Sequence, residues 1–151
     1  MKRISKHISY KEAVGSNYAK QKGIKNKPNE EQVENMKLLA EKVFEPLREW
    51  VGCPIRVNSM FRSLELNTAL KGSKTSSHMN GEAMDITSMA CGKENCKSNL
   101  DMFHWIKDNL EFDQLIWEFG AIPKWLHVSY NKDKNRKQVL VTKKRGVYYT
   151  Y

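Results

Sequence analysis

His78 and Asp85 lie seven residues apart in the run Ser76, Ser77, His78, Met79, Asn80, Gly81, Glu82, Ala83, Met84, Asp85. A further histidine, His127, stands in Lys124, Trp125, Leu126, His127, Val128, Ser129, Tyr130. Two neutral imidazoles and one carboxylate suit zinc, whose catalytic sites usually keep three protein ligands and leave the fourth position to water. Bound zinc lowers the pKa of that water from about 15.7 to about 7, which supplies hydroxide at neutral pH without a side-chain nucleophile. Hydrolysis is the chemistry these residue types point to.

Convergence of the three needs particular elements. Alternation at period two places Trp125, His127 and Ser129 on one face of a strand over 125–130. Residues 82–86 have strand character, and Gly81 is available to turn the chain between this strand and the polar loop that carries His78. If the two strands are sheet neighbours, Asp85 and His127 meet on one face.

The rest of the chain supplies a scaffold. Val33, Met36, Leu39, Ala40, Val43, Phe44, Leu47 and Trp50 recur at helical spacing, with Asn29 and Gln32 as cap and capping-box partner, and Pro46 should kink or shorten the last turns. A strand is predicted over 54–59, a short helix over 63–71 and an amphipathic helix through Leu100, Phe103, His104, Ile106 and Leu110. Further strands are predicted over 112–119 and 138–142. Connections of five to eight residues are too short for parallel crossovers, so the expected fold is α+β, a small antiparallel sheet packed with helices. The length, 151 residues with 40% apolar side chains, suits one domain over 1–151. Within it, residues 1–28 read as an N-terminal arm anchored by Tyr10 and Tyr18, and the core as about 29–142.

The balance of 26 Lys and Arg against 17 Asp and Glu gives a net charge of +9, which favours anionic polymers as partners. No apolar run is long enough for a membrane span, and the first residues lack a signal h-region. The expectation is a cytoplasmic location in the producing cell. Three cysteines, an odd number, fit a reducing compartment, and the C-x4-C spacing of Cys91 and Cys96 suits a redox-sensitive pair or unrelated thiols better than a structural zinc.

The run from Ser76 to Asp85 resembles the motif Ser-x-His-x-x-Gly-x-Ala-x-Asp of the zinc D-alanyl-D-alanine carboxypeptidases and peptidoglycan L-alanyl-D-glutamate endopeptidases, whose fold the hedgehog signalling domain shares. Ser76, His78, Gly81, Ala83 and Asp85 fill its five fixed positions. Ser59, Met60, Phe61, Arg62, Ser63 is similar to the family's aromatic-Arg-Ser segment, and 125–129 to its last metal-ligand strand. The resemblance covers about half the chain.

It implies zinc held by His78, Asp85 and His127, with the Arg62 guanidinium near the scissile carbonyl or a substrate carboxylate, a post suited to its planar fork. Some members place the general base three residues before the last histidine. Here that position is Lys124, so Glu118, in the apolar segment 115–120, is the candidate base, with Asp113 as its nearest competitor. Arg62, Ser77 and Trp125 are the candidate substrate contacts, although hydrogen bonding within the loop is the ordinary role for Ser76 and Ser77. His104 reads as a packed helix histidine, and His7 as part of the arm. The implied activity is a monomeric zinc peptidase of phage-lysin type acting on peptidoglycan stem peptides. Two alternatives belong to other classes: a non-catalytic zinc module of hedgehog type, and a nucleic-acid-binding domain using the basic, tyrosine-bearing stretch 132–151.

Overall fold

The computed structural model describes residues 3–89 and 95–151. A short hairpin, β1 (Arg3–Ser5) and β2 (Ile8–Ser9), leads into two brief helices, α1 (Tyr10–Val14) and α2 (Asn17–Lys22). Helix α3 (Glu30–Leu39) opens on the Asn29 and Gln32 capping box. It runs through a π turn (Ala40–Phe44) directly into α4 (Glu45–Val51). Pro46 is the reason for the π turn. In a regular helix its ring would strike the carbonyl of residue 42, and the wider turn, with the Glu45 amide on the Ala40 carbonyl, relieves that contact without ending the helix.

The chain continues through β3 (Ile55–Ser59), α5 (Leu64–Ala69), a 3-10 turn (Ser77–Asn80), β4 (Ala83–Ser88), α6 (Asn99–Asn109), β5 (Gln114–Glu118), β6 (Trp125–Ser129), β7 (Gln138–Lys144) and β8 (Val147–Thr150). The fold is α+β, with a six-stranded sheet in the order β3-β4-β6-β5-β7-β8. One pairing departs from the antiparallel expectation: β7 lies parallel to β5. No long crossover is needed, because β7 reverses from β6 as a hairpin partner would but docks on the far side of β5. Arg136 fastens that connection to Asp113 through two side-chain bonds of 2.9 and 3.0 Å. The four residues of β8 carry no apolar alternation against the core and lie beyond the 29–142 core expected from the sequence.

Strand alternation divides the sheet. Met84, Ile86, Leu115, Leu126 and Val128 point to one face and are buried against Leu39, Val43, Phe44 and Leu47 of the first long helix and Met102, Phe103 and Ile106 of α6. Each such side chain contributes about 1.5–3 kcal/mol on burial. Asp85, His127 and Glu118 alternate with these residues and must face the other way.

Ile4, Ile8 and Ala13, from the stretch read as an arm, join the same apolar cluster, and Tyr10 packs against it. Tyr18, expected as a second anchor, is instead exposed. His7 is held by Glu45, its Nδ1 2.6 Å from Oε1. Burial alone would raise the Glu45 carboxyl, but hydrogen bonds from Ser5 and His7 outweigh it and lower the pKa. The cysteines divide in a way the spacing did not suggest. Cys53, just before β3, and Cys96, just before α6, form a disulfide, because the fold brings their Cα atoms to 6.3 Å. Cys91 lies outside the described residues. Among the described residues no helix is long and apolar enough to cross a membrane.

Candidate metal centre

The strand pairings create the site. Asp85 on β4 is the direct partner of His127 on β6, and His127 is in turn the partner of Ile116 on β5. His78 arrives from outside the sheet on the 3-10 turn, which Ser76 caps and Gly81 ends with a positive φ of 74°. Helix α3 grips that turn. Gln32 Nε2 donates to the Met79 carbonyl at 3.1 Å and Asn35 Nδ2 to the Asn80 carbonyl at 3.0 Å. A side chain at Gly81 would run into the Gln32 carbonyl, so this position requires glycine both for its backbone angle and for the close approach.

One ligand atom from each of His78, Asp85 and His127 lies within 4.8 Å of the others. Asp85 Oδ1 is 3.4 Å from His78 Nε2 and 3.1 Å from His127 Nδ1. The other nitrogen of His78, Nδ1, is 2.7 Å from the Met60 carbonyl. Accepting from that nitrogen fixes the tautomer that presents Nε2 as a lone pair, the supporting contact typical of a metal-bound histidine. The second Asp85 oxygen, Oδ2, receives Arg62 Nη2 at 3.2 Å. Arg62 is itself aimed by Ser59 Oγ, 3.0 Å from its Nε. Two imidazoles and a carboxylate, with His78 and Asp85 each oriented by a second contact, fit zinc in number and donor type.

Electrostatics agree with that fit. Burial lowers the pKa of His78 more than Asp85 raises it, which keeps the imidazole neutral. Burial by itself would raise Asp85, but the charge and hydrogen bonds of His78 and His127 hold its carboxyl well below the usual range. His78 and Asp85 are thus in the protonation states that a cation requires.

Glu118 ends β5 directly opposite Trp125 of β6, on the same face as His127. Burial pushes its carboxyl up to about 7, and the negative charge of Asp85 adds to the shift. Lys124 is exposed in the tight β5–β6 connection, where its amide donates to the Glu118 and Phe119 carbonyls. Asp113 sits at the opposite end of β5, tied to Arg136, and its pKa is lowered chiefly by that contact. Trp125 is half-buried on the site face with Phe119 edge-on, ring centroids 5.4 Å apart. Ser77 belongs to the 3-10 turn, and its carbonyl accepts from the Glu82 amide. His104 packs edge-on with Phe103 at 5.4 Å, away from the three ligands.

Gln32, Ser59 and the Met60 carbonyl were not singled out as site residues in the sequence. Gln32 and the Met60 carbonyl act on residues far along the chain, Met79 and His78, which no local pattern marks, whereas Ser59 lies only three residues before the Arg62 it aims, within the segment 59–63. Tyr148 was grouped with a basic stretch, yet the ladder continues Trp125, Glu118, Thr142, Tyr148 across four strands on the site face.

No curated protein matches the chain. The family described as Peptidase M15 has a model that matches residues 6–128, a span that holds the 3-10 turn, Arg62, Glu118 and the three clustered ligands. The chain belongs to the Peptidase M15 family of zinc-dependent peptidases.

Proposed function

We propose that this protein hydrolyses a peptide bond in the stem peptides of peptidoglycan, as a D,D-carboxypeptidase or an L-alanyl-D-glutamate endopeptidase, with zinc held by His78, Asp85 and His127. The observation that carries this reading is the convergence of those three donors within 4.8 Å beside a carboxyl whose pKa is close to 7. Zinc, when bound, supplies a Lewis acid for ionising water and polarising a carbonyl.

The chain's own groups do the rest. Glu118 takes the proton of the attacking water and returns it to the departing amine, a task that favours an acid poised near the working pH. Arg62 holds Asp85 in place through Nη2, and its guanidinium, at the mouth of the ligand cluster, stabilises negative charge on the substrate carbonyl or terminal carboxylate. Trp125 and the 3-10 turn at Ser77 border the ligands and contact the bound peptide. The net charge of +9 concentrates the enzyme on an anionic wall polymer.

Incubation of purified muropeptides with zinc-loaded wild type and with His78→Ala, followed by mass spectrometry, tests the reading. Wild type should release one defined fragment or residue and His78→Ala none. Muropeptides left intact by zinc-loaded wild type would rule the activity out. The same experiment with Glu118→Gln separates a peptidase from a zinc module that works by partner binding, since only a peptidase loses its function there.

A further inference from the structure

Strand β8 is the outermost of the sheet, and its tyrosines look like surface residues. The pairing says more about one of them. Glu118 is opposite Thr142, and Thr142 is opposite Tyr148, so Tyr148 stands two strands from Glu118 in one cross-strand row. At about 4.8 Å per strand their Cα atoms are some 10 Å apart, within reach of a tyrosine and a glutamate leaning toward each other. The residue between them is small and turned away: Thr142 is buried, and its hydroxyl serves the Lys144 and Val147 carbonyls at 2.8 and 2.7 Å. Nothing large in the row separates phenol from carboxyl. The hairpin is also anchored, because Arg145 Nη2 donates to the Leu70 carbonyl at 3.1 Å and so ties its turn to the end of α5.

We propose that Tyr148 is a substrate-binding residue of this site, its phenolic hydroxyl donating to a neutral carbonyl of the bound peptide on the Glu118 side of the cleft. The inference rests on the peptidase reading. Neighbouring carboxyl groups decide the ligand chemistry. Glu118 and Asp85 disfavour a second anion at this wall and keep the phenol protonated, an effect added to that of its partial burial. A protonated phenol can donate, and the acceptor that suits such a place is an amide oxygen. Arg62, across the ligand cluster, is the group suited to a carboxylate. The peptide would therefore lie with its anionic end toward Arg62 and its uncharged backbone toward Tyr148. Tyr148 is 51% exposed, so the ring has room to meet a ligand, and its replacement disturbs no core.

Steady-state cleavage of a purified stem peptide by zinc-loaded wild type, Tyr148→Phe and Tyr148→Ala is the test, with melting temperature and zinc content measured on each. Loss of one neutral hydrogen bond should raise KM about three- to tenfold in Tyr148→Phe, with kcat, zinc content and melting temperature unchanged. Calorimetric binding of the same peptide to Glu118→Gln should weaken by the same factor when Tyr148→Phe is added. A wild-type KM in Tyr148→Phe overturns the proposal, and so does a KM that rises only in Tyr148→Ala, which would assign the effect to the ring. Wild type that cleaves no stem peptide removes the peptidase reading and this inference with it, whereas active wild type with an indifferent Tyr148→Phe removes this inference alone.

Discussion

Asp85 and Glu118 are carboxylates on the same face of the same sheet, separated by a single strand, and their environments drive them in opposite directions. Both are desolvated, which by itself favours the protonated form. Around Asp85 that tendency is overturned by His78 and His127, and the carboxyl stays ionised. Among the described residues Glu118 has no paired cation; burial and the negative charge of Asp85 outweigh the opposing influence of His127, and its pKa rises to about 7. The difference teaches that burial alone does not assign a role to an acid. The company it keeps makes one carboxylate a permanent anion fit for a cation and the other a group that can take up and release a proton.

Breaking the ligand side should have the largest effect. His78→Ala, or exhaustive chelation of the wild type, should abolish both stoichiometric zinc and peptide cleavage, and only the chelated protein should recover when zinc is restored; metal analysis and muropeptide assays read both. Breaking the proton-transfer side should leave the metal in place. Glu118→Gln should keep stoichiometric zinc and lower kcat by about 10²–10⁴-fold. Arg62→Ala lies between the two, since it removes the contact that orients Asp85. A loss of about 10–100-fold in zinc affinity, the usual cost of removing a supporting contact, should be visible in competition with a chelating dye.

Two further measurements sharpen the contrast without touching the ligands. In metal-free protein Glu118 holds its proton more tightly when folded. Its stabilising contribution is complete below its ordinary value of about 4.5 and is lost as the pH rises through about 7. Asp85, with a lowered value, contributes stability above about 4 that is lost only in stronger acid, so it adds no slope in that window. Melting temperatures of the metal-free protein should therefore fall between pH 5 and pH 8 less steeply in Glu118→Gln than in wild type. Remote from both acids, Cys53→Ser opens the disulfide that closes a 43-residue separation. It should cost about 2–4 kcal/mol in denaturant unfolding and leave zinc affinity unchanged.

Much of the scaffold was legible because its signals are local. The Asn29 capping box, the apolar repeat through Leu47, the alternation in β6 and the glycine that ends the 3-10 turn each depend on residues within a turn or two of one another. What went unread depends on partners far away. The helices and strands before Asn29 are short, and they are stabilised by Ile4, Ile8 and Ala13 entering a core built by later residues. Pro46 signalled a break, and the answer was a π turn, since the packed apolar stripe on both sides favours continuing the helix. Cys96 was weighed against Cys91 five residues away, while its bonded partner is Cys53. Strand β8 has no buried face and so no alternation to detect; it exists because β7 offers it an edge.

The amino-acid sequence by itself determined which side chains have the chemistry: the imidazoles, the two acids and the arginine, together with the spacing that marks them. It determined this because residue type and short-range spacing are properties of the chain before it folds. Tertiary structure decided which of them meet. The pairing of Asp85 with His127, the opposite fates of Asp85 and Glu118, and the placement of Tyr148 in the Glu118 row all follow from strand order and register. Those are set by burying one face of a sheet assembled from distant segments, and a shift of one residue in any strand would turn the site inside out.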